Sequence, residues 1–267
     1  MFEAYAQDYM EISKAEFVGI SDKVSRDQRD TYIDFITSEH QSAVMDAHII
    51  KHGSLDLLNN DTNKYNPYIT KKIKDGFVED DERDLCFVRT IQSPPPRKFG
   101  PQINWNLASA EDIRVSMDSI LALKNETTIS KIRPFVGLPE DEHQGFHSDD
   151  NADNPHCFAF HPIHKHIGDT SSDIVAVVSS AIAFDASMRN LLPQNVKGML
   201  CVVSNTCDQT LSYLIDGKDA FFQGDTDLHD PKYDELAMEV DLALYTHPDL
   251  PSTPGHCMYT MVNVPDE

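Results

Sequence analysis

The chain has few positive charges and no long apolar segment. Lys and Arg number 22 against 44 Asp and Glu, so the formal net charge is −22 at pH 7. Such a field repels phosphate backbones and anionic lipid, and we therefore expect no nucleic-acid partner. It suits cationic ligands or divalent ions, or else serves only solubility in a salty medium. The longest uncharged apolar run, Ile174 to Phe184, is too short to cross a bilayer.

The motifs of several enzyme classes are also missing. The chain has no GxSxG, no Walker A sequence, no GxGxxG and no kinase signature. No CxxC pair occurs, which argues against a zinc ribbon and a thioredoxin-like redox motif. The acidic N-terminus lacks the apolar centre of a signal peptide, so the chain as given is expected to be soluble. We therefore predict no catalytic residue, no metal site and no cofactor.

The cysteines are few and odd in number. Five are present, which leaves at least one thiol unpaired. Cys207 and Cys257 both lie on expected sheet elements of the last hundred residues, and we predict a disulfide between them. Two N-glycosylation sequons, at Asn60 and Asn125, also favour an exterior location.

The first fifty residues have the apolar spacing of a helix. The apolar positions recur at intervals of three and four, with one interval of five: Phe2, Tyr5, Tyr9, Ile12, Phe17, Ile20 and Val24. We predict one long helix over residues 1–50. It is either a stalk that pairs with a second copy in a homodimer, or an ordinary amphipathic helix packed on its own domain.

Residues 51–267 are expected to form the domain that follows. A strand is predicted from Leu85 to Ile91, and a helix is predicted after Ser109, which forms a capping pair with Asp112. The remaining expected elements are a loop at 139–170, a strand at 173–184, a short helix at 185–192, a strand at 199–203, a hairpin of 210–215 with 219–222, a helix at 233–242 and a strand at 257–262. This order predicts an α+β fold with an antiparallel sheet, typical of PAS-like sensor domains of the Cache and CHASE type.

Hard oxygen donors alternate in one short segment. Asp225, Asp227 and His229 have the spacing of a calcium loop, but Asp230 and Leu236 occupy positions that an EF-hand gives to Gly and an acidic residue. An EF-hand is therefore excluded. A looser metal or cationic-ligand site and a turn of capping aspartates before the predicted helix are both compatible with the pattern.

A single tryptophan and a group of histidines are the other candidates. Trp105 lies between Asn104 and Asn106, and it either packs in the core or lines a ligand pocket. Six histidines fall in the expected loop: His143, His147, His156, His161, His164 and His166. They are either adventitious, sensitive to pH near their ordinary pKa, or metal ligands.

Three segments of the chain carry a family resemblance. They are residues 91–96 (IQSPPP) followed by 103–107 (INWNL), residues 205–217 (NTCDQT…YLIDG) and residues 222–234 (FQGDTDLHD…YD). Together these resemble the region between two transmembrane helices in the receptor-type guanylate or adenylate cyclases of diatoms and related algae. Both membrane helices and the cyclase domain are absent from this sequence. The resemblance therefore implies a sensor at the extracellular side of the plasma membrane, without cyclase activity in these residues.

The leading hypothesis from the sequence is an extracytoplasmic sensory domain that couples a small-molecule or ion ligand to cyclic nucleotide signalling. The residues expected to bind the ligand are Trp105, Asn106, Tyr213, Asp225, Asp227 and His229. Two alternatives stay open. One is a metal-dependent hydrolase built from the His- and Asp-rich loops, and the other is a soluble secreted binding protein.

Overall fold

The computed structural model of the protein describes residues 2–56, 65–73, 76–95, 102–124, 127–131, 133–134, 155–242 and 257–265. The helices in these stretches are α1 (Phe2–Ser13), α2 (Arg29–Phe35), α3 (Gln41–His52), α4 (Glu111–Leu123) and α5 (Phe184–Met188). The strands are β1 (Ala15–Ser25), β2 (Thr70–Ile73), β3 (Gly76–Glu79), β4 (Leu85–Ser93), β5 (Thr128–Ile129), β6 (Arg133–Pro134), β7 (Pro155–His164), β8 (Ile174–Ala183), β9 (Met199–Asn205), β10 (Gln209–Asp216), β11 (Asp219–Gly224), β12 (Met238–Leu242) and β13 (Tyr259–Pro265).

The chain divides into two compact units, and both combine strands with helices. Unit 1 consists of Met1–Ile12, Phe17–Glu126 and Phe160–Ser180, and unit 2 consists of Ser13–Glu16, Thr127–Ala159 and Ala181–Glu267. Antiparallel pairing joins β1 to β4 in unit 1 and β9 to β10 in unit 2. The predicted α+β class with antiparallel sheets is therefore confirmed.

Unit 1 is built on strands in the order β4-β1-β8-β7. A bulge at Ile20 and Ser21 interrupts the β1–β4 register, which otherwise pairs residues such as Val24 with Cys86. One face of the β1–β4 pair packs against α2 and α3, because apolar residues of both strands form a core with residues of those helices. The buried members of this core are Val24, Tyr32, Ile36, Val44, Tyr65, Ile69, Cys86, Val88 and Ile103.

Unit 2 is built on a five-stranded antiparallel sheet in the order β11-β10-β9-β13-β12. Alternate residues of its central strands pack against α5, which contributes Phe184 and Met188 to the same apolar cluster. A disulfide joins Cys207 and Cys257, the pair predicted from the sequence, with sulfurs 2.01 Å apart. The N-terminal half of β7 pairs with β5 and β6 in this unit.

The predicted long helix over residues 1–50 is wrong. Helix α1 ends at Ser13, Lys14 adopts a left-handed backbone with φ of 58°, and β1 follows directly. Strand β1 is buried on both faces, so apolar residues occupy consecutive positions such as Phe17 and Val18. That pattern lacks the alternation of a half-buried strand, and its apolar spacing imitates that of a helix.

Three other local predictions are wrong. The segment predicted as a helix at 233–242 is a 3₁₀ turn, Pro231–Leu236, followed by β12, in which apolar and acidic residues alternate. Part of the loop predicted at 139–170 is β7, while residues 135–154 lie outside the described ones. Helix α4 begins after Ala110, and the Ser109 hydroxyl instead accepts a hydrogen bond from the Trp105 indole.

Several predicted elements are confirmed close to their expected limits. They are β4, the helix α4, the strand β8, the short helix α5, the strand β9, the hairpin of β10 with β11 and the strand β13. Within the part of the chain that the structure describes, no helix has the length and apolar character needed to cross a membrane. The sequons at Asn60 and Asn125 lie outside the described residues.

Candidate functional site

A buried arginine lies on one face of the strands of unit 1. The Arg89 side chain belongs to β4, and the residue is only 3% exposed. Its guanidinium carbon lies 4.8 Å from the centre of the Phe17 ring and 5.4 Å from that of the Trp105 ring. Its Nη1 donates to Gln92 Oε1 at 3.3 Å. Burying a charged group is costly unless ring faces and hydrogen bonds compensate for the lost water, so this arrangement is a specific one.

The β1–β4 register brings small polar residues to the same face. Ser21 is the cross-strand partner of Arg89, and Gly19 is the partner of Gln92. A Cβ atom at Gly19 would lie 3.3 Å from Arg89 Nε and 3.2 Å from the Ser179 hydroxyl. Glycine at this position therefore lets the arginine approach the backbone of β1 closely.

The Ser21 hydroxyl is the polar atom that marks this face as a candidate site. Ser21 is 0% exposed, and its Oγ has no hydrogen-bond partner in the part of the chain that the structure describes. A buried hydroxyl without a hydrogen-bond partner costs free energy. We call this cluster the Arg89 site; its members are Phe17, Gly19, Ser21, Arg89, Gln92, Trp105 and Ser179.

Trp105, predicted to contact the ligand, lies in the Arg89 site. Its backbone carbonyl accepts from the Arg89 amide at 2.9 Å, which holds residues 104–106 alongside β4. The indole Nε1 donates to Ser109 Oγ at 3.0 Å, and the residue is 9% exposed. The ring is thereby oriented by the protein, with one face available to the guanidinium.

Asn106 was also predicted to contact the ligand, but its side chain forms hydrogen bonds within the protein. It is fully buried, and its Oδ1 accepts from the amides of Phe87 at 3.0 Å and Ala108 at 3.1 Å. Its Nδ2 donates to Asp80 Oδ2 at 2.8 Å, and Asp80 is itself fully buried. The side chain therefore fixes the segment after Trp105 against β4.

Tyr213, a third predicted ligand contact, is a core residue of unit 2. It is 0% exposed, and its ring centre lies 5.5 Å from that of Phe222. Burial raises the pKa of its phenol well above the ordinary range. No hydrogen-bond partner for its hydroxyl occurs among the residues that the structure describes.

Asp225, Asp227 and His229 lie in an exposed turn of unit 2 after β11. The His229 ring bridges two carboxylates, with Nδ1 2.5 Å from Asp227 Oδ1 and Nε2 2.9 Å from Asp234 Oδ1. These hydrogen bonds, first that of Asp227 and then that of Asp234, raise the pKa of the imidazole. Asp225 is exposed at the start of the turn. Of the three predicted residues, Asp227 and His229 are thus in contact, and the His229 ring lies between the carboxylates of Asp227 and Asp234.

The histidines of the predicted loop are dispersed where the structure describes them. His156 Nε2 lies 3.0 Å from Glu16 Oε2, and both side chains are buried. His164 Nδ1 lies 3.0 Å from the carbonyl of Ser172. Among the described residues, no three His, Cys, Asp or Glu side chains are grouped to hold a metal ion. His143 and His147 lie outside the described residues.

The arginine at the centre of the site was not among the residues predicted from the sequence. A charged residue within the otherwise apolar run of β4 was the available signal, because Lys and Arg are rarely buried without a specific reason. Ser21 and Phe17 had no such signal, since they fell in the segment predicted as helix.

The comparisons with known proteins leave the site to be interpreted from its own chemistry. No family model matches the chain, and no curated protein matches it.

Proposed function

We propose that the chain is the ligand-sensing region of a membrane receptor nucleotide cyclase, with a PAS-like sheet that binds a small molecule. The observation that carries this proposal is the Arg89 site, where a buried charge, two aromatic rings and an unpaired hydroxyl meet on one sheet face. The resemblance of residues 91–107 and 205–234 to the sensor region of the algal receptor cyclases supplies the receptor class.

The disulfide supports an exterior location. Structural disulfides persist in oxidising compartments and are rare in the cytosol. The Cys207–Cys257 bond joins residues 50 positions apart in unit 2, whereas Cys86, Cys157 and Cys201 remain buried free thiols. We place the chain on the extracellular side of the plasma membrane in the full receptor.

Ligand binding is expected to act through β1. Phe17, Gly19 and Ser21 line the Arg89 site, and Lys14 alone separates β1 from α1. A ligand that binds one arrangement of β1 more tightly than another shifts the population of the two. Helix α1 exposes Tyr5 (70%) and Ile12 (84%), and we propose a second copy of the chain as the partner of this face.

The receptor assignment is tested by sequencing the transcript on both sides of the region. We expect an apolar segment of about 20 residues before residue 1 and another after residue 267, with a cyclase domain beyond the second. A start codon at Met1 together with a stop codon directly after Glu267 would contradict the assignment.

The sensing role is tested on the full-length receptor. A panel of neutral, cationic and anionic small molecules is applied while cyclic nucleotide production is measured. We expect at least one compound to change production in the wild type and to have no effect on Arg89→Gln. The matched control is Arg114→Gln, which removes an arginine paired with Glu111 on α4 and should respond normally. An equal response of both variants would refute a role for the Arg89 site.

A further inference from the structure

We infer that the outer edge of β12 binds an extended segment of another protein, in which Lys or Arg alternates with apolar residues. This edge belongs to unit 2, whereas the Arg89 site belongs to unit 1, so the two can be tested separately. The position of β12 in its sheet, its exposed side chains and its charge together specify the partner.

Strand β12 ends the five-stranded sheet of unit 2. It pairs with β13, and no other strand pairs with it in the part of the chain that the structure describes. Met238, Glu239 and Val240 are all exposed, so residues on both faces of the strand are accessible. An edge strand presents backbone N–H and C=O groups with which a further strand can form a ladder.

The apolar residues of β12 extend the core face of the sheet. Val240 lies beside Met261 of β13, and Met261 lies beside Val203 of β9. Val203 is fully buried in the cluster with α5, and Met261 packs against that cluster in part. At the edge, Val240 is 39% exposed and Met238 is 61% exposed. A strand added beyond β12, with apolar residues in the same rows, would cover both side chains and gain burial energy.

The opposite face of β12 is acidic. Glu239 is exposed and lies beside Val262 of β13. Glu235, in the 3₁₀ turn that leads into β12, is exposed as well. Lys232, the basic residue of that turn, pairs with Asp230 at 2.7 Å. Basic residues of a partner strand on this face would therefore meet carboxylates, and opposite charges across a strand pair are stabilising.

The charge argues against a second copy of the chain at this edge. An antiparallel pair of two β12 strands, centred on Glu239 or Val240, would place Glu239 opposite Glu239 or Asp241 of the other copy. Like charges directly opposite are destabilising, and the net charge of −22 opposes the pair at longer range. Residues 243–256, which follow β12, contain three prolines and neither Lys nor Arg, so their sequence does not match the partner either.

Peptide binding to the purified chain tests the inference. The probe is a rhodamine-labelled Lys-Val-Lys-Val-Lys-Val peptide, followed by fluorescence anisotropy. We expect saturable binding of this basic peptide and at least about 10-fold weaker binding of the acidic peptide Glu-Val-Glu-Val-Glu-Val. The basic peptide with every amide N-methylated keeps its charge but lacks the donors of a β-ladder, so it should not bind. Equal binding of the N-methylated peptide would mean that charge alone holds it, and would overturn strand addition.

Charge reversal locates the binding. Glu239→Lys should weaken binding of the basic peptide about 10-fold and strengthen that of the acidic peptide, because the charge that faces the partner changes sign. The matched control is Asp219→Lys, the same reversal at an exposed position of β11 on the other edge of the sheet, and it should leave both affinities nearly unchanged. Equal effects of the two variants would mean that net charge, not β12, attracts the peptide, and would overturn the assignment.

Hydrogen exchange and sedimentation distinguish the occupants of the edge. The bound basic peptide should slow amide exchange in β12 and leave β11 unchanged, since the added strand pairs with one edge only. A dimer of the chain that dissociates on addition of the basic peptide would make a second copy the occupant and would overturn the choice of another protein. If neither peptide binds, Glu239 only blocks edge-to-edge pairing, and the inference is wrong.

Discussion

At the scale of single residues, Asn106 joins separate parts of unit 1, because its side chain contacts two backbone amides and a buried carboxylate. We expect Asn106→Asp to lower the free energy of unfolding by about 3 kcal/mol, since a second carboxylate would face Asp80 at 2.8 Å without water. Urea unfolding measures the change. The double variant Asp80→Asn with Asn106→Asp is the control, because it restores a donor opposite the carboxylate and should recover part of the loss. Equal stability of the single variant and the wild type would contradict the role given to this residue.

His229 makes a contribution to the stability of unit 2 that depends on pH. Its pKa is raised in the folded protein by Asp227 and Asp234, so the folded state binds the proton more tightly than the unfolded chain does. The contribution of His229 is therefore fully present below its ordinary pKa of about 6.5 and is lost as the pH rises through the raised value. Comparing wild type with His229→Gln across this range should show a stability difference that shrinks as the pH increases.

A proton NMR titration of the His229 ring tests the cause of that shift. Asp227→Asn and Asp234→Asn should each lower the midpoint, because each removes a carboxylate in contact with the imidazole. Asp219→Asn removes the same charge from an exposed position of β11 and should leave the midpoint nearly unchanged. Identical shifts in all three variants would mean that long-range charge, not the contacts, raises the pKa.

At the scale of elements, prediction succeeded where periodicity and burial agreed. The hairpin of β10 and β11 was found because its strands alternate and Asp216-Gly217 marks the turn. Strand β1 was missed because burial on both faces removes the alternation, and β12 was taken for a helix because its short run gives few repeats. The Arg89 site depends on the β1–β4 register, which no local pattern contains; only Trp105 could be predicted as part of it.

The turn between β10 and β11 requires glycine for two separate reasons. Gly217 has a φ of +66°, and a Cβ atom there would lie 2.9 Å from the carbonyl oxygen of Gln194. Gly168, which lies between β7 and β8, serves as a comparison. Its φ is +80°, but a Cβ atom there would have nothing within 4 Å, so only the backbone conformation favours glycine at this position. We expect Gly168→Ala to lower the free energy of unfolding by about 1 kcal/mol, and Gly217→Ala to lower it by roughly 1 kcal/mol more than that. Equal losses in thermal unfolding would show that the contact with Gln194 relaxes freely.

The disulfide ties together two distant parts of unit 2. Closing a loop of 50 residues restricts the unfolded chain, which in the chain-entropy treatment stabilises the fold by about 4 kcal/mol. We expect the double variant Cys207→Ser/Cys257→Ser, or reduction of the wild type, to lower the free energy of unfolding by about 4 kcal/mol. Cys201→Ala is the control for removing a thiol that is not part of the disulfide, because the buried Cys201 thiol is free. A loss on reduction that persists in the double serine variant would point to another cause.

At the scale of the whole molecule, the net charge of −22 attracts cationic ligands and repels anionic ones. Salt screens this field, since the Debye length is about 10 Å near 0.1 M salt. Between about 20 mM and 200 mM salt, we therefore expect the association rate of a cationic ligand to fall and that of an anionic ligand to rise. Stopped-flow fluorescence of Trp105 measures the rate for any compound of the panel that changes cyclic nucleotide production.

The sign of this salt dependence reports the charge of the ligand. A cationic ligand gains from the field at long range, so its association slows as salt is added. The variant Asp234→Asn/Glu235→Gln lowers the negative charge of the molecule and leaves the residues of the Arg89 site unchanged. It should flatten the salt dependence slightly while leaving the affinity at high salt unchanged. If cationic and anionic compounds respond to salt with the same sign, the field of the whole molecule does not govern association, and this electrostatic account is wrong.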